Sequence, residues 1–179
     1  VQSMVAAQSL VAFDRREAFL ARVVTPFVEG YLDGETPSPC VACNRGPKTE
    51  ELFALADRLG ASHVATGHYA RIAVYEGRPW LHRGRDDEKD QSYFLHALTP
   101  DRVARLVLPL GDRTKDEVRR EAVRLGIPSA AKGESQELCF VPGRYDAFVE
   151  ARADQARIRP GPILDAPGRE VGRHAGVHR

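Results

Sequence analysis

The stretch from Glu50 to Tyr69 constrains the fold more than any other part of this 179-residue chain. Leu52, Phe53, Leu55, Ala56 and Leu59 recur at helical spacing and Gly60 ends the run. His63-Val-Ala-Thr-Gly-His-Tyr69 then reads as a short buried strand entering a loop at Gly67. Helix, short apolar strand, glycine-bearing loop is the rhythm of an α/β fold with a parallel sheet. Ligands of such sheets bind at the carboxyl ends of the strands, which directs attention to the loop at Gly67.

The flanking segments extend this reading. From Asp14 to Asp33 apolar residues again recur at helical spacing; Pro26 inside the pattern predicts a kink or a second helix start, and Gly34 a stop. Between Glu35 and Pro47 the three prolines Pro37, Pro39 and Pro47 are expected to hold the chain out of helix. Ala70 to Val74 and Trp80 to His82, joined through Glu76-Gly-Arg78, predict a β-hairpin. Short helices follow at Ser92 to Leu98 and Asp101 to Leu106. A stronger helix is opened by Thr114, with Glu117 completing a capping box, and closed by Gly126. Beyond Cys139 come a short helix from Tyr145 to Ala151 and strand-like pieces separated by glycines. A change of character near Pro109-Leu-Gly111 predicts two domains, 1–107 and 108–179. Residues 1 to 12 are small and apolar without a period and predict no element.

Composition excludes several classes. Hydrophobic residues make up 42% of the chain, enough for a core. Lys and Arg number 26 against 25 Asp and Glu, which excludes a polycationic tail but not a local basic surface. No apolar run approaches the roughly 18 residues of a membrane span, and no signal peptide is expected at the N-terminus. Three cysteines are an odd number and too few for a disulfide scaffold, so a reducing cytoplasm is the expected location.

Four features could carry chemistry. Cys40-Val-Ala-Cys43 could be half a zinc site, a redox dithiol or two incidental thiols; a structural zinc asks for two more ligands, and a thioredoxin-type pair should open a helix after a strand. Cys139 ends the polar run Lys132-Gly-Glu-Ser-Gln-Glu-Leu-Cys139 and could be a nucleophile favoured by Lys132, or a structural cysteine. Seven charges fall between Arg83 and Asp90. There Lys89, Asp90 and Gln91 could contact phosphate, ribose and base edges with Tyr93 and Phe94 as anchors, or form an ordinary solvated loop. His68 and Tyr69 are equally open. From Arg152 onward six arginines face three acids, a mildly basic tail suited to a polyanion.

Taken together, these segments resemble one family, the tRNA-specific 2-thiouridylases (tRNA-uridine 2-sulfurtransferases). The residues that carry the resemblance are Gly34-Glu-Thr-Pro-Ser-Pro-Cys-Val-Ala-Cys-Asn-Arg45, Ala65-Thr-Gly-His-Tyr-Ala-Arg71, Arg83-Gly-Arg-Asp86 and Lys89-Asp-Gln-Ser-Tyr-Phe-Leu95. Further along come Pro109-Leu-Gly111, Ser135-Gln-Glu-Leu-Cys-Phe140 and Pro160-Gly-Pro-Ile-Leu-Asp165 with Gly172-Arg-His-Ala-Gly176. The similarity covers residues 14 to 176.

The resemblance implies an α/β fold of the adenine-nucleotide-hydrolase-like (PP-loop) kind, partial here, followed by part of a smaller central tRNA-binding domain. It implies ATP as substrate, no metal, tRNA as partner, and a sulfur-carrier or cysteine desulfurase relay as sulfur source. In such enzymes ATP adenylates the C2 oxygen of the wobble uridine. Sulfur arrives as a persulfide on the cysteine that matches Cys139, and the one matching Cys43 either releases it or resolves the intermediate, leaving a Cys43–Cys139 disulfide. The same carry-over sets Ser38, Pro39 and Cys40 near the target base, Gly67 at ATP, and His68, Lys89, Asp90 and Gln91 at tRNA. The family's Ser-Gly-Gly-x-Asp-Ser phosphate loop is absent from residues 1 to 60 and its C-terminal β-barrel is not found. The chain is therefore expected to be the middle of a longer enzyme and inactive alone. Two other readings are a non-catalytic tRNA-binding fragment and a structural protein binding metal through Cys40 and Cys43.

Overall fold

A computed structural model describes residues 11–131 and 138–179. Arg16 to Leu32 is continuously helical in three parts: α1 (Arg16–Phe19), a wider π-helical turn (Leu20–Val24) and α2 (Thr25–Leu32). Pro26 accounts for the interruption, since it has no N–H to give to the carbonyl four residues back and the preceding turn widens.

The proline-rich segment corrects an expectation. It is helical, as α3 (Pro39–Arg45) and α4 (Pro47–Arg58), each with its proline in the first turn. A first-turn N–H has no intrahelical acceptor, so a proline there costs nothing and its fixed φ suits the helix. The prolines start these helices rather than prevent them, and Cys40 and Cys43 ride on a helix.

The expected parallel pairing is present in its smallest form. Strand β1 (Val64–Ala65) lies beside β4 (Leu106–Val107), with Val64 opposite Leu106 and Ala65 opposite Val107. The Val64 N–H donates to the Arg105 carbonyl (2.9 Å) and the Thr66 N–H to that of Val107 (3.0 Å). Leu106 thus belongs to a strand, not to the end of the helix expected from Asp101; that helix, α6 (Pro100–Ala104), stops before it. Gly67 and His68 follow at the carboxyl end of β1.

The crossover from β1 to β4 carries a hairpin, β2 (Ala70–Tyr75) with β3 (Arg78–Arg83), and α5 (Ser92–Leu95). Its two-residue turn, Glu76-Gly77, has both φ angles positive (49° and 72°), the conformation that matches the twist of paired strands. Gly111 packs so tightly under the hairpin that a Cβ there would run into the Ala70 carbonyl. Downstream, Thr114 caps α7 (Lys115–Arg124) in the expected capping box. Then come α8 (Tyr145–Glu150) and the hairpin β5 (Gly161–Leu164) with β6 (Glu170–His174).

Two apolar cores hold these elements. The first joins Phe53 and Ala56 of α4 to Val64, Ala70, Leu95, Leu98, Val103 and Leu106. The second joins Val24, Phe27, Val28 and Leu32 to Val141, Phe148 and Val149, so it combines residues before 33 with residues after 140. No helix among the described residues is long and apolar enough to cross a membrane.

Candidate functional site

Helix α3 sets Cys40 and Cys43 three residues apart, on one face. Buried Asn44 secures the helix from inside. Its Nδ2 donates to the Cys40 carbonyl (2.9 Å), and its own carbonyl accepts from Thr49 Oγ1 (2.5 Å), tying α3 to α4. Ser38 occupies the N-cap position with an extended backbone and no capping hydrogen bond, and Pro39 is buried behind it. Both thiols are half-buried.

Cys139 reaches this helix from the other end of the chain. It is exposed on a turn closed by the Val141 N–H and the Leu138 carbonyl (3.0 Å). Its neighbours Leu138 and Phe140 pack on the second core, where the Phe140 ring stands edge-on to Phe27 and Phe148 at 5.4 and 5.5 Å. With both flanking side chains committed inward, the Cys139 thiol is turned out. It lies close enough for its charge to push up the Cys40 and Cys43 thiols, which burial has already raised above the ordinary thiol range. Two cysteines about a hundred residues apart in sequence thus share one neighbourhood, and all three thiols are free. Residues 132–137, including Lys132 and Ser135-Gln-Glu137, lie outside the described residues.

Lys48, in the first turn of α4, opposes that rise. Its charge lowers both Cys40 and Cys43, and its backbone N–H donates to Cys43. The ammonium is held by His68, whose Nε2 lies 3.3 Å from Lys48 Nζ, while Thr66 Oγ1 lies 2.8 Å from Nδ1. An ammonium has only protons to offer, so Nε2 accepts, and Nδ1 carries the ring proton that it donates to Thr66. Burial, then the Lys48 charge, lower His68 to about 4, so the ring is neutral at ordinary pH. Sequence reading missed Lys48. The signal was Pro47: taken as a helix start rather than a breaker, it puts Lys48 one residue into a helix beside the Cys-Asn turn.

The other expected site residues sit next to this group. A Cβ on Gly67 would meet only Leu110 Cδ1, at 3.7 Å, so the backbone there is open to close approach. Gln91 staples the base of the hairpin, its Oε1 accepting from the Tyr69 N–H (3.0 Å) and its own N–H donating to the Tyr69 carbonyl (2.8 Å). Asp90 does the same on the other strand. Its Oδ1 accepts from the Gly84 N–H (2.8 Å) and its Oδ2 from Ser92 Oγ (2.8 Å). Burial works against the Asp90 carboxylate, but the Gly84 and Ser92 donors and Arg83 hold it below the usual range. Lys89 is partly buried, its N–H donating to the Asp86 carbonyl (3.2 Å). The structure therefore brings Cys40, Cys43 and His68 around Lys48, with Cys139 within electrostatic reach of the two α3 thiols and Gly67 next to His68. Among the described residues no group of three or more His, Cys, Asp or Glu is arranged to hold a metal ion.

Residues 4–143 match the family model described as the tRNA methyl transferase HUP domain, a match that begins ahead of residue 14. The chain is 65% identical over 167 residues to the tRNA-specific 2-thiouridylase MnmA of Sorangium cellulosum, an alignment covering 93% of this chain and 43% of that protein. It is 50% identical to the protein of the same name from Syntrophotalea carbinolica (93% and 47% covered), and 50% to that of Moorella thermoacetica (90% and 46%). The chain spans less than half the length of these relatives.

Proposed function

The chain belongs to the tRNA methyl transferase HUP domain family, and from that premise we propose that it is the thiol-bearing part of a tRNA 2-thiouridylase, which replaces the C2 oxygen of a wobble uridine by sulfur at the expense of ATP. The observation that supports this reading best is that Cys139 lies within electrostatic reach of Cys43, which Lys48 also faces. A sulfur-transfer reaction needs one sulfur atom to carry and a second thiol to release it.

In this reading ATP adenylates the C2 oxygen, and AMP is the leaving group. The terminal sulfur of a Cys139 persulfide attacks C2, and the C2–O bond breaks as AMP departs. The Cys43 thiolate then attacks Cys139 Sγ, forming a Cys43–Cys139 disulfide and leaving the outer sulfur on C2. A thiol reductant returns the pair to the free state. Lys48 favours the Cys43 thiolate, and neutral His68 holds Lys48 in place. Ser38, Pro39 and Cys40 border the target base, and Gly67 offers open backbone to the adenylate. Lys89 faces tRNA, while Asp90 and Gln91 serve the tRNA surface by holding the hairpin's base. A sulfur-carrier or cysteine desulfurase relay loads Cys139, and the reaction belongs to the cytoplasm.

The 179 residues contain no Ser-Gly-Gly-x-Asp-Ser run to cradle pyrophosphate, so these residues by themselves adenylate poorly. The test is mass spectrometry after incubation with a persulfide donor. One added sulfur on the Cys139 peptide is expected, lost in Cys139→Ser, together with little 2-thiouridine in tRNA supplied with ATP. Failure of Cys139 to take sulfur overturns the thiol chemistry. Abundant 2-thiouridine that disappears in Cys139→Ser overturns only the weak adenylation.

A further inference from the structure

The β2–β3 hairpin has a face that neither core uses. Its register sets Arg71 opposite His82, Ala73 opposite Trp80, and Tyr75 opposite Arg78, on the side away from Ile72 and Leu81, which pack on the first core. All six residues of this outer face are exposed, Tyr75 at 65% and Trp80 at 54%. Two large aromatic side chains on one exposed strand pair add nothing to the packing of either core and invite an explanation in binding.

The charge on the face narrows the partner. It carries two guanidinium groups and an imidazole and no carboxylate. Glu76 lies in the turn, and Arg71 donates from Nε to the Arg83 carbonyl (2.8 Å) and forms a solvent-screened pair with exposed Asp112 (3.7 Å). Arg78 has no acidic partner among the described residues, whereas most arginines of the basic tail do. Arg157 pairs with Glu29 and Asp33, Arg169 with Asp165, Arg173 with Glu170 and Arg179 with Glu150. Flat rings interleaved with guanidinium groups suit a strand of unpaired nucleotides, whose bases stack on the rings and whose phosphates meet the arginines. The hairpin also starts at the site, since Ala70 follows His68-Tyr69 and the opposite strand leads into Gly84, held by Asp90. Six residues per strand carry the face about 20 Å outward.

We propose that the outer face of the β2–β3 hairpin is an RNA-docking surface, on which Trp80 and Tyr75 stack unpaired bases and Arg71 and Arg78 hold phosphates of the tRNA strand adjoining the reacting nucleotide. The proposal rests on the tRNA-thiolation reading and adds to it where the substrate lies.

Trp80 is the single tryptophan of the chain, so its emission reports this face alone. Unmodified tRNA with uridine at the wobble position is titrated into the full chain, following Trp80 fluorescence and retention of labelled tRNA on a filter. Emission is expected to change along the same curve as retention. Trp80→Leu is expected to weaken retention by about fivefold or more, and Arg78→Gln to reduce the slope of log affinity against log salt by about one. Retained tRNA with unchanged Trp80 emission, and unchanged affinity in Trp80→Leu, overturns the docking surface and leaves the thiol chemistry standing; the face would then suit a protein partner. Absence of any retention overturns the docking surface and tRNA as the partner of these residues, while the thiol chemistry is still decided by sulfur loading of Cys139.

Discussion

Lys48 supplies what the cysteines lack in their own segment. Burial works against a thiolate at Cys43, and the negative charge of Cys139 adds to the difficulty; the Lys48 ammonium and backbone N–H are the groups that favour it. Arg22 on the π-helical turn is already paired with Glu50 of α4 (2.8 Å). Lys48→Met is therefore expected to move the pH midpoint of Cys43 alkylation by iodoacetamide upward and to slow alkylation severalfold at neutral pH, with Lys48→Arg close to wild type. A midpoint that stays put in Lys48→Met makes Lys48 a spectator. His68 gives a second prediction with a definite sign. Its folded value of about 4 lies below the ordinary 6.5, so the unfolded chain binds the extra proton first as pH falls. The stability this neutral ring contributes is complete above pH 6.5 and is lost progressively down to about 4, by no more than about 2 kcal/mol after allowance for solvent screening. Denaturant melts of His68→Gln should show a flatter pH dependence than wild type across that window; equal slopes would mean the ring titrates freely.

At the scale of elements, the hairpin depends on its base. Asp90 satisfies two backbone N–H groups and a hydroxyl there, so Asp90→Ala leaves buried donors unmet and is expected to cost about 2 kcal/mol. Because its carboxyl is held below the usual range, the contribution is present above the ordinary carboxylate value and fades as pH falls through the lower folded one. Hydrogen exchange at Gly84 and Tyr69 should accelerate in the variant, and unchanged protection there would remove Asp90 from the staple. The hairpin itself was legible from Glu76-Gly-Arg78 between two strand-like runs, as was α7 from Thr114 and Glu117, because turn and cap chemistry are local. Helices α3 and α4 were half legible. The same proline that breaks a helix inside begins one at its first turn, and which applies to Pro39 and Pro47 depends on where the helix starts, not on the residue. The parallel pair was legible in kind from Val64-Ala65. Its partner Leu106 was not, since a two-residue strand has no period to read. Of the site, the cysteines were legible through the resemblance, but Lys48 and the commitment of Asp90 and Gln91 to the hairpin are tertiary facts without a local signal.

For the molecule as a whole, the second core is expected to set how closely the thiols approach. Cys43 is carried by α3, whose partners are α4, α5 and the π-helical turn, whereas Cys139 is anchored through Leu138 and Phe140 against α2 and α8. Nothing near either cysteine in sequence requires the other, so their proximity should weaken when that core is loosened and survive when the first is. Mild oxidation with diamide, which accepts the two electrons and two protons of two thiols, reads the proximity as the rate of disulfide formation from Cys139 to α3. Phe140→Ala removes a ring that meets Phe19, Phe27 and Phe148 and is expected to cost about 2–3 kcal/mol, given its partial burial. Val103→Ala, in the first core, should cost about 2 kcal/mol. If the second core sets the geometry, Phe140→Ala slows crosslinking severalfold under native conditions while Val103→Ala, of similar stability, leaves the rate near wild type. Equal slowing in both variants would mean that the rate follows global stability and that the thiols meet only through opening of the fold. Crosslinked peptides mapped by mass spectrometry then separate Cys43–Cys139 from Cys40–Cys139. Dominance of Cys43 is the outcome expected of a resolving thiol, because Lys48 gives Cys43 both its charge and its backbone N–H but gives Cys40 the charge alone.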